Sequence, residues 1–244
     1  MLPVKSEDYE LMKAYSEITS KYSMLKTKPW KDLQSYLSSL ENKFTLPSSG
    51  ILLDIGSGNG RNLILFQEKN YHLIASDLSF SLLSSLVPLP AQKIQILNND
   101  MRLLPLKKKI ADFVILIASI HHLRKKKDMQ KVLDEITFII KNEGYLILSC
   151  WRRWKPGTRK KMVIDLLLFP FKKTYKRKWQ HGDILLPWYN EKKEVIARRY
   201  YHLFTKRELI KIIKKTNLSI CDFSCSGGQS KSDNFFVLLK KNVP

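Results

Sequence analysis

The stretch Ile51-Leu-Leu-Asp-Ile-Gly-Ser-Gly-Asn-Gly60 decides the fold of this chain of 244 residues. A short apolar run ends at Asp54, and Gly56, Gly58 and Gly60 follow at two-residue spacing. This pattern predicts a buried strand, a tight glycine turn and the start of a helix. Glycines in such a turn let backbone N–H groups approach a ligand closely at the helix N-terminus. The stretch therefore predicts a ligand site beyond the end of the first strand.

The glycine spacing differs from the spacing that dinucleotide binding requires. The fingerprint G-x-G-x-x-G would need a glycine at position 61, where Arg61 stands. The sequence D-x-G-x-G-x-G instead resembles the first motif of class I S-adenosylmethionine-dependent methyltransferases. This cofactor has no pyrophosphate, so the resemblance implies that the glycines allow close packing on its amino-acid end rather than anion binding.

Composition favours one α/β domain over residues 1–244, because 44% of the residues are apolar and can form a core. No apolar run approaches about 18 residues, and the N-terminus lacks the apolar centre of a signal peptide, so we expect no membrane span. Cys150, Cys221 and Cys225 form no C-x-x-C pair. This cysteine usage favours a reducing, cytoplasmic compartment and predicts no metal site.

The formal net charge of +21 predicts a polyanionic partner, either a nucleic acid or an anionic membrane surface. Arg124-Lys-Lys-Lys127 is one basic cluster, and Arg152 through Lys178 holds eleven basic residues against the single acid Asp165. Aromatic residues lie in or beside the second cluster: Trp151, Trp154, Phe169, Phe171, Tyr175 and Trp179. Cations beside stacking rings favour single-stranded or loop nucleic acid. The apolar run Ile164–Phe169 leaves contact with lipid open as an alternative.

Hydrophobic periodicity predicts seven strands and the helices between them. The strands are expected at residues 51–55, 71–76, 93–98, 112–118, 145–150, 219–224 and 235–239. Helices are expected at 6–24, from Pro29 onward, and at 62–69, 79–86, 128–141 and 205–216. Residues 1–45 would form N-terminal helices, and 152–198 would be a basic insertion that recognises the substrate. The order predicts a Rossmann-like, doubly wound, mostly parallel seven-stranded sheet.

Acidic residues follow the second and third predicted strands, at the sheet edge where such folds bind ligands. Asp77 lies 23 residues after Asp54 and can accept hydrogen bonds from both ribose hydroxyls, with a helix N-cap as the alternative. Asp100 is predicted to hold the adenine amino group while Met101 packs on the base; an exposed loop acid is the alternative. The complete set of predicted cofactor residues is Asp54, Gly56, Gly58, Gly60, Asp77, Leu78, Asp100, Met101 and Ala118.

Four further motifs narrow the class of protein. They are Ala118-Ser-Ile-His-His-Leu123, Cys150-Trp151, Asp183-Ile-Leu-Leu-Pro-Trp188 and Arg199-Tyr-Tyr-His-Leu-Phe204. Together they resemble the wobble-uridine tRNA methyltransferases of eukaryotes and archaea, which esterify 5-carboxymethyluridine in the anticodon. The N-terminal segment agrees with that family at Tyr15, Ile18, Tyr22-Ser23 and Lys28-Pro29-Trp30. The resemblance runs from about Tyr9 to Lys240.

The chain departs from the family pattern at three places. Ser57 stands where the family usually has Cys, and Lys26-Thr27 stands where it usually has Arg-Tyr. A late Gly-Asn-Trp element is replaced by Ser232-Asp-Asn234-Phe235. Lysine at position 26 keeps the positive charge but loses the planar N–H fork of arginine.

The resemblance implies methyl transfer to the carboxylate of 5-carboxymethyluridine, which gives the methyl ester. A carboxyl with a pKa of about 4 is ionised at neutral pH, so proximity and desolvation matter more than a general base. Arg199 is expected to grip the carboxylate or an adjacent phosphate, and His121 or His122 to hydrogen-bond the carboxylate. Trp151 is expected to stack on the flipped uracil or shield the sulfonium.

The predicted site residues fall into two sets. The catalytic set is His121, His122, Trp151, Arg199 and Tyr200. The substrate-binding set is Lys26, Lys28, Trp30, Trp188, Tyr201 and His202, of which Tyr201 and His202 would line the base pocket together with Tyr200.

The resemblance also implies two partners, the tRNA anticodon loop and a small zinc-binding activator that forms a heterodimer with the chain. The third strand would lie at a sheet edge, where Ile94, Ile96 and Leu97 with 86–89 supply apolar surface for strand addition. Two other functions remain open at this point. One is a methyltransferase acting on a small molecule or lipid, and the other is a catalytically silent tRNA-binding scaffold.

Overall fold

The computed structural model describes residues 6–88, 94–155, 159–160, 162–164, 166–168 and 179–243, with side chains described from Tyr9 onward. Phe169, Phe171 and Tyr175, which the sequence places among the basic residues, lie outside this part, as does Leu89. The strands are β1 (Ser49–Ile55), β2 (Asn70–Asp77), β3 (Ile94–Asn98), β4 (Ala111–Ile117), β5 (Ile140–Trp151), β6 (Asp183–Tyr189), β7 (Val195–His202), β8 (Leu218–Ser226) and β9 (Asn234–Lys241). The helices are α1 (Ser6–Leu25), α2 (Lys31–Glu41), α3 (Phe80–Leu83), α4 (Lys126–Ile139) and α5 (Lys206–Ile213), with short 3₁₀ helices at Arg61–Phe66 and Ile120–His122.

Seven strands form one sheet in the order β3-β2-β1-β4-β5-β9-β8. The first five pair in parallel, and β9 runs antiparallel to both β5 and β8. The predicted doubly wound, mostly parallel seven-stranded sheet is therefore confirmed, with β3 at one edge. The strand order reverses between β1 and β4, which is where open α/β sheets bind their ligands.

The packing of β4 explains why the sequence of this central strand is continuously apolar. Val114 and Leu116 pack in the core on one face, whereas Phe113 and Ile115 pack in the core on the other. All four are at most 1% exposed. A strand covered by helices on both faces cannot alternate between apolar and polar residues, so the run indicates a central parallel strand.

The connection after the glycine turn is tighter than the sequence predicts. Residues 61–66 form a 3₁₀ helix rather than an α-helix reaching Lys69. Strand β2 begins at Asn70, so the chain must complete both the glycine turn and this helix before that residue. The later helix starts agree better with prediction, because the Ser79 hydroxyl accepts from Leu82 N–H at 3.4 Å and the Thr205 hydroxyl accepts from Glu208 N–H at 3.2 Å.

The described part of the predicted insertion contains a two-stranded antiparallel ribbon, β6–β7. Helix α1 packs on this ribbon rather than on the main core: Ala14 and Ile18 contact Ala197, with Tyr22 and Trp188 beside them. Helix α1 and the ribbon thus form a cap next to the sheet. Among the described residues, no helix is both long and apolar enough to cross a membrane.

Candidate active site

A cavity of about 390 Å³, called here the main cavity, lies between the sheet and the cap. Its glycine end is lined by Gly56, Gly58, Asp77, Leu78, Asp100 and Met101. Its ribbon end is lined by His121, His122, Trp151, Trp188, Arg199 and Tyr201, and Lys26, Trp30 and Ala118 also contribute to its walls. Residues more than a hundred positions apart thus share one concave space of the size that small ligands occupy.

Asp77 organises the glycine end. Its Oδ2 accepts from Gly58 N–H at 2.8 Å, and its Oδ1 accepts from Ser79 N–H at 2.8 Å. Burial raises the pKa of Asp77, although these backbone hydrogen bonds oppose the rise. The carboxylate is therefore fixed at the cavity wall with lone pairs left over, as binding of two ribose hydroxyls requires.

The glycines of the turn have different reasons to be glycine. Gly56 and Gly58 have φ of 69° and 57°, and both line the cavity; a Cβ at Gly56 would lie 2.3 Å from Ser119 Oγ, whereas one at Gly58 would meet nothing closer than 3.9 Å, which leaves room for a ligand. Gly60 has φ of 68° but does not line the cavity; a Cβ there would lie 2.6 Å from Leu86 Cδ2. The sequence-based assignment of Gly60 to the cofactor is thus corrected to a packing role.

Asp54 is buried at the end of β1 without lining the cavity. Its Oδ2 has no hydrogen-bond partner among the described residues, and burial together with the charge of Asp77 raises its pKa to about 8. A buried acceptor without a donor is costly, so a ligand that supplies one would be stabilised. The orphaned oxygen and the open glycine turn fit the cationic amino-acid end of S-adenosylmethionine.

Asp100 is neither free nor exposed in a loop. Arg102 Nε donates to both of its carboxylate oxygens, at 2.9 and 3.0 Å. The Arg102 guanidinium also reaches Asp128 Oδ2 at 3.3 Å, so Arg102 ties the carboxylate of Asp100 to α4. Arg102 is absent from the site residues predicted from the sequence, although its place next to the predicted pair Asp100-Met101 was a signal.

Both ring nitrogens of His122 already have partners. Nδ1 donates to the Tyr200 carbonyl oxygen at 2.8 Å, because a carbonyl can only accept. Nε2 lies 3.0 Å from the Tyr15 hydroxyl and, in the neutral ring, must accept from it. Burial lowers the pKa of His122 to about 4. The expectation that His122 hydrogen-bonds a carboxylate is therefore corrected, since this tautomer has no proton left to donate.

His121 is also neutral, because burial and the neighbouring His122 hold its pKa well below the usual range. Its ring lies 5.2 Å from the Trp151 ring and 5.1 Å from the Tyr201 ring. The backbone N–H of Trp151 donates to its Nδ1 at 3.4 Å. Trp151 itself stacks on Tyr201, with centroids 4.4 Å apart and planes 2° apart. Tyr201 thus occupies one face of Trp151, and Lys155 Nζ lies 5.1 Å from the centroid of the same ring.

Arg199 supplies the positive charge at the ribbon end. Its guanidinium carbon lies 4.7 Å from the Trp188 ring centroid, 5.4 Å from that of Tyr201 and 5.9 Å from that of Tyr15. These rings attract the cation and restrict its orientation. Its Nε is buried and has no hydrogen-bond partner among the described residues. A buried, unsatisfied cationic donor in a cavity wall is suited to bind an anionic group.

Tyr200, His202 and Lys28 lie elsewhere. Side chains along a strand alternate between faces, so Arg199 and Tyr201 face the main cavity while Tyr200 and His202 face away from it. His202 is completely buried against Asp183, and Lys28 is exposed outside the cavity. Tyr200 and His202 therefore do not line the site to which they were assigned, whereas Lys28 remains a predicted substrate contact outside the main cavity.

Helix α1 contributes cavity residues that are absent from the predicted site sets. Tyr15 and Tyr22 line the main cavity, as do Arg61 and Asn62 from the 3₁₀ helix after the glycine turn. The seven-residue spacing of the two tyrosines places them on one helix face. It could not indicate that this face covers a ligand cavity rather than the main core. In the described residues, no cluster of His, Cys, Asp or Glu could hold a metal ion.

Comparison with known proteins agrees with this geometry. A family model described as a methyltransferase domain matches residues 53–148. A Methanosarcina mazei structure described as SAM-dependent methyltransferases has a TM-score of 0.66 at 18% identity, covering 84% of this chain and 98% of that one. A Burkholderia thailandensis 1,6-didemethyltoxoflavin-N1-methyltransferase, solved with S-adenosylhomocysteine, has a TM-score of 0.65 at 13% identity, covering 100% and 92%.

The chain thus has the fold of the class I S-adenosylmethionine-dependent methyltransferases, with a methyltransferase domain matched at residues 53–148. Within that class the chain resembles proteins named tRNA (carboxymethyluridine(34)-5-O)-methyltransferase. The Schizosaccharomyces pombe protein is 23% identical over 99% of this chain and 100% of its own length. The Saccharomyces cerevisiae protein is 27% identical over 64% of this chain, which spans about half (52%) of that relative.

Proposed function

We propose that the chain transfers a methyl group to the side-chain carboxylate of 5-carboxymethyluridine at the wobble position of tRNA. The observation that carries this proposal is Arg199, whose buried Nε has no hydrogen-bond partner in the part of the chain that the structure describes, while aromatic rings restrict the guanidinium. Arg199 and the glycine end line the same cavity, so an anionic acceptor and a methyl donor would meet inside one concave space. The names of the relatives supply the identity of the acceptor.

The residues of the cavity suit an acceptor that is already ionised. When bound, S-adenosylmethionine supplies a methyl group on a sulfonium sulfur, which a carboxylate oxygen can attack directly. His121 and His122 are neutral at pH 7, so Arg199 is the cation that orients the carboxylate. Too many cations would lower the nucleophilicity of the oxygen, and the neutral histidines avoid this. Closure by α1 and the ribbon would strip water from the carboxylate.

Charge and aromatic side chains support RNA as the carrier of the acceptor. The net charge of +21 provides the attraction to a polyanion, and Lys26 adds a cation at the wall of the main cavity. Burial and the neighbouring charges of Arg61 and Arg199 lower the pKa of Lys26, so an anionic ligand in the cavity would stabilise its charged form. The Trp151 ring, with Tyr201 on one face and Lys155 Nζ 5.1 Å from its centroid, is the aromatic surface on which a flipped base would stack.

The nature of the product tests this function. The full chain is incubated with labelled S-adenosylmethionine and with tRNA that bears or lacks carboxymethyluridine, and the labelled tRNA is then treated with mild alkali. We expect label only in the modified tRNA and release of that label by alkali, because an ester hydrolyses and N- or C-methyl groups do not. Label that survives alkali, or equal labelling of both tRNAs, would exclude ester formation.

We also propose that a small zinc-binding activator binds beside β3. This strand is at the sheet edge, its Ile96 is 49% exposed, and Phe80 nearby on α3 is 66% exposed. Exposed edges invite pairing with a strand of another chain. Ile96→Lys should abolish the heterodimer, measured by light scattering after co-expression, whereas Val195→Lys on the ribbon should not. If the isolated chain is monodisperse and fully active, the activator is not required.

A further inference from the structure

A second, smaller cleft lies behind one wall of the main cavity. Strand β7 separates the two spaces: Arg199 and Tyr201 line the main cavity, whereas Arg198 and Tyr200 line the second cleft. This partition follows from the two-residue period of a strand. His122 lines both spaces, and its Nδ1 donates to the Tyr200 carbonyl oxygen at 2.8 Å. A ligand in the second cleft would therefore be one strand away from the acceptor end of the cavity.

Two arginines of the second cleft are placed to receive an anion. The Arg124 guanidinium carbon lies 4.5 Å from the centroid of the Tyr200 ring, and stacking of this kind leaves the N–H edge of the fork available. Arg124 also pairs with Glu10 at 3.3 Å, but the Glu10 side chain is 71% exposed, so this ion pair is weak. Arg198 is exposed and forms no ion pair with any residue that the structure describes.

The third arginine of the cleft has a different role. Arg102 is buried and bonded to Asp100 and Asp128, so it neutralises the acids behind the cleft instead of reaching outward. Because Asp128 is paired in this way, the weakly held Glu10 is the remaining acid of the cleft. The outer part of the cleft consequently carries an excess of positive charge from Arg124 and Arg198.

We propose that Arg124 and Arg198 bind a backbone phosphate of the RNA next to the nucleotide whose base enters the main cavity. The inference rests on the proposed function and assigns two of the many basic side chains of the protein to the phosphate backbone of the RNA. The planar fork of arginine matches phosphate oxygens with paired N–H donors. An acidic protein would also meet these cations, but an RNA must pass its backbone beside any cavity that holds one of its bases. RNA is therefore the occupant to which the position of the cleft points.

The salt dependence of tRNA binding tests the assignment. Arg124→Gln and Arg198→Gln are compared with Arg207→Gln, which removes the same charge from an exposed position on α5 that lines neither space. Each lost phosphate contact should reduce the slope of log Kobs against log salt by about 0.7. We expect this reduction in the two cleft variants and the wild-type slope in Arg207→Gln. A wild-type slope in both cleft variants would overturn the proposal.

Methyl transfer separates the phosphate site from the proposed function. The variants are assayed on tRNA and on free carboxymethyluridine nucleoside, and kcat/KM should fall about tenfold more on tRNA than on the nucleoside. Equal losses on both acceptors would overturn the phosphate site. If the wild-type chain methylates neither acceptor, either alone or with the proposed activator, the proposed function itself fails. If the variants keep tRNA affinity but lose an acidic protein partner, the cleft belongs to that partner and not to RNA.

Discussion

His202 Nδ1 lies 2.6 Å from Asp183 Oδ1, and both side chains are completely buried. Asp183 begins β6 and His202 ends β7, so this contact closes the open end of the ribbon that carries Arg199. On its other side, His202 Nε2 lies 3.2 Å from Glu208 Oε1 on α5. The histidine therefore fastens the ribbon to the main domain instead of binding substrate.

This buried cluster makes the stability of the ribbon depend on pH. Burial lowers the pKa of His202, but Asp183 and Glu208 outweigh it and the net direction is upward. Burial raises the pKa of Glu208, yet His202, Arg153 and Lys126 bring it down to about 2. The stability that His202 contributes is fully present below about pH 6.5 and is lost as pH rises through its raised pKa. The stability that Glu208 contributes is fully present above about pH 4.3 and is lost as pH falls towards 2.

Replacing Asp183 with Asn should weaken this fastening. We expect the free energy of unfolding at pH 6 to fall by about 3 kcal/mol, since a buried imidazolium loses one of its two carboxylates. The loss of stability on the alkaline side should also be smaller and end at a lower pH, because the pKa of folded His202 falls. Thermal unfolding between pH 5 and 9 measures both effects, with Asp134→Asn on the exposed face of α4 as control. An unchanged alkaline limb would contradict the assignment.

Arg199→Ala should remove acceptor orientation without disturbing the cofactor. Loss of one preorganised charged donor lowers kcat/KM by about 10²- to 10³-fold, and we expect a loss of that order on tRNA. Arg199→Lys should recover little, because lysine keeps the charge but neither the planar fork nor the stacking on Trp188. Calorimetry of S-adenosylmethionine binding provides the control and should show nearly wild-type affinity. Equal losses in catalysis and cofactor binding would mean that Arg199 serves the cofactor.

The sheet could be predicted from the sequence because burial on both faces produces continuous apolar runs. Strand boundaries were harder to predict, as β5 shows. It begins at Ile140 rather than Tyr145, and residues 142–144, which lie between the predicted helix and the predicted strand, form an irregularity in the pairing of β5 with β4. Glu143 adopts a φ of 65° there. The sequence did not indicate that strand pairing extends through these residues.

The candidate site was predictable in residue types but not in side-chain direction. Side chains in the run Arg199-Tyr-Tyr-His202 must alternate between the two faces of the strand, but the neighbouring sequence does not indicate which pair faces the ligand. Asp183, at the other end of the ribbon, receives His202 and so turns Arg199 and Tyr201 toward the cavity. Tyr15 and His122 likewise meet across 107 positions, so the tautomer of His122 depends on a tertiary contact.

The two cavity-lining glycines should respond differently to alanine. At Gly56 a Cβ would lie 2.3 Å from Ser119 Oγ, whereas at Gly58 its nearest neighbours, Leu82 and Tyr22, would lie 3.9 Å away. Both substitutions carry the strain of a left-handed backbone, about 1–2 kcal/mol, but Gly56→Ala adds a clash. We expect Gly56→Ala to melt at least about 4 °C below Gly58→Ala. Gly58→Ala should mainly weaken cofactor binding, measured by calorimetry; equal melting temperatures would contradict the contact at Ser119.

Asp54 should make the cofactor-free protein sensitive to alkali. Burial, with the charge of Asp77 second, raises the pKa of Asp54 to about 8, whereas the unfolded chain has a value near 4. A raised carboxyl pKa gives stability that is complete below the unfolded value and is lost as pH rises through the folded one.

Asp54→Asn cannot ionise, so its stability should not follow this loss. We expect the variant to exceed the wild type at pH 9 by at least about 1 kcal/mol in the free energy of unfolding and to differ less at pH 5. Urea unfolding at the two pH values, without cofactor, measures the difference. The same variant should bind S-adenosylmethionine more weakly, because an amide cannot offer the buried carboxylate charge to a cationic amino group. Parallel pH dependence in the two proteins would show that Asp54 is ionised in the folded state and already has a donor.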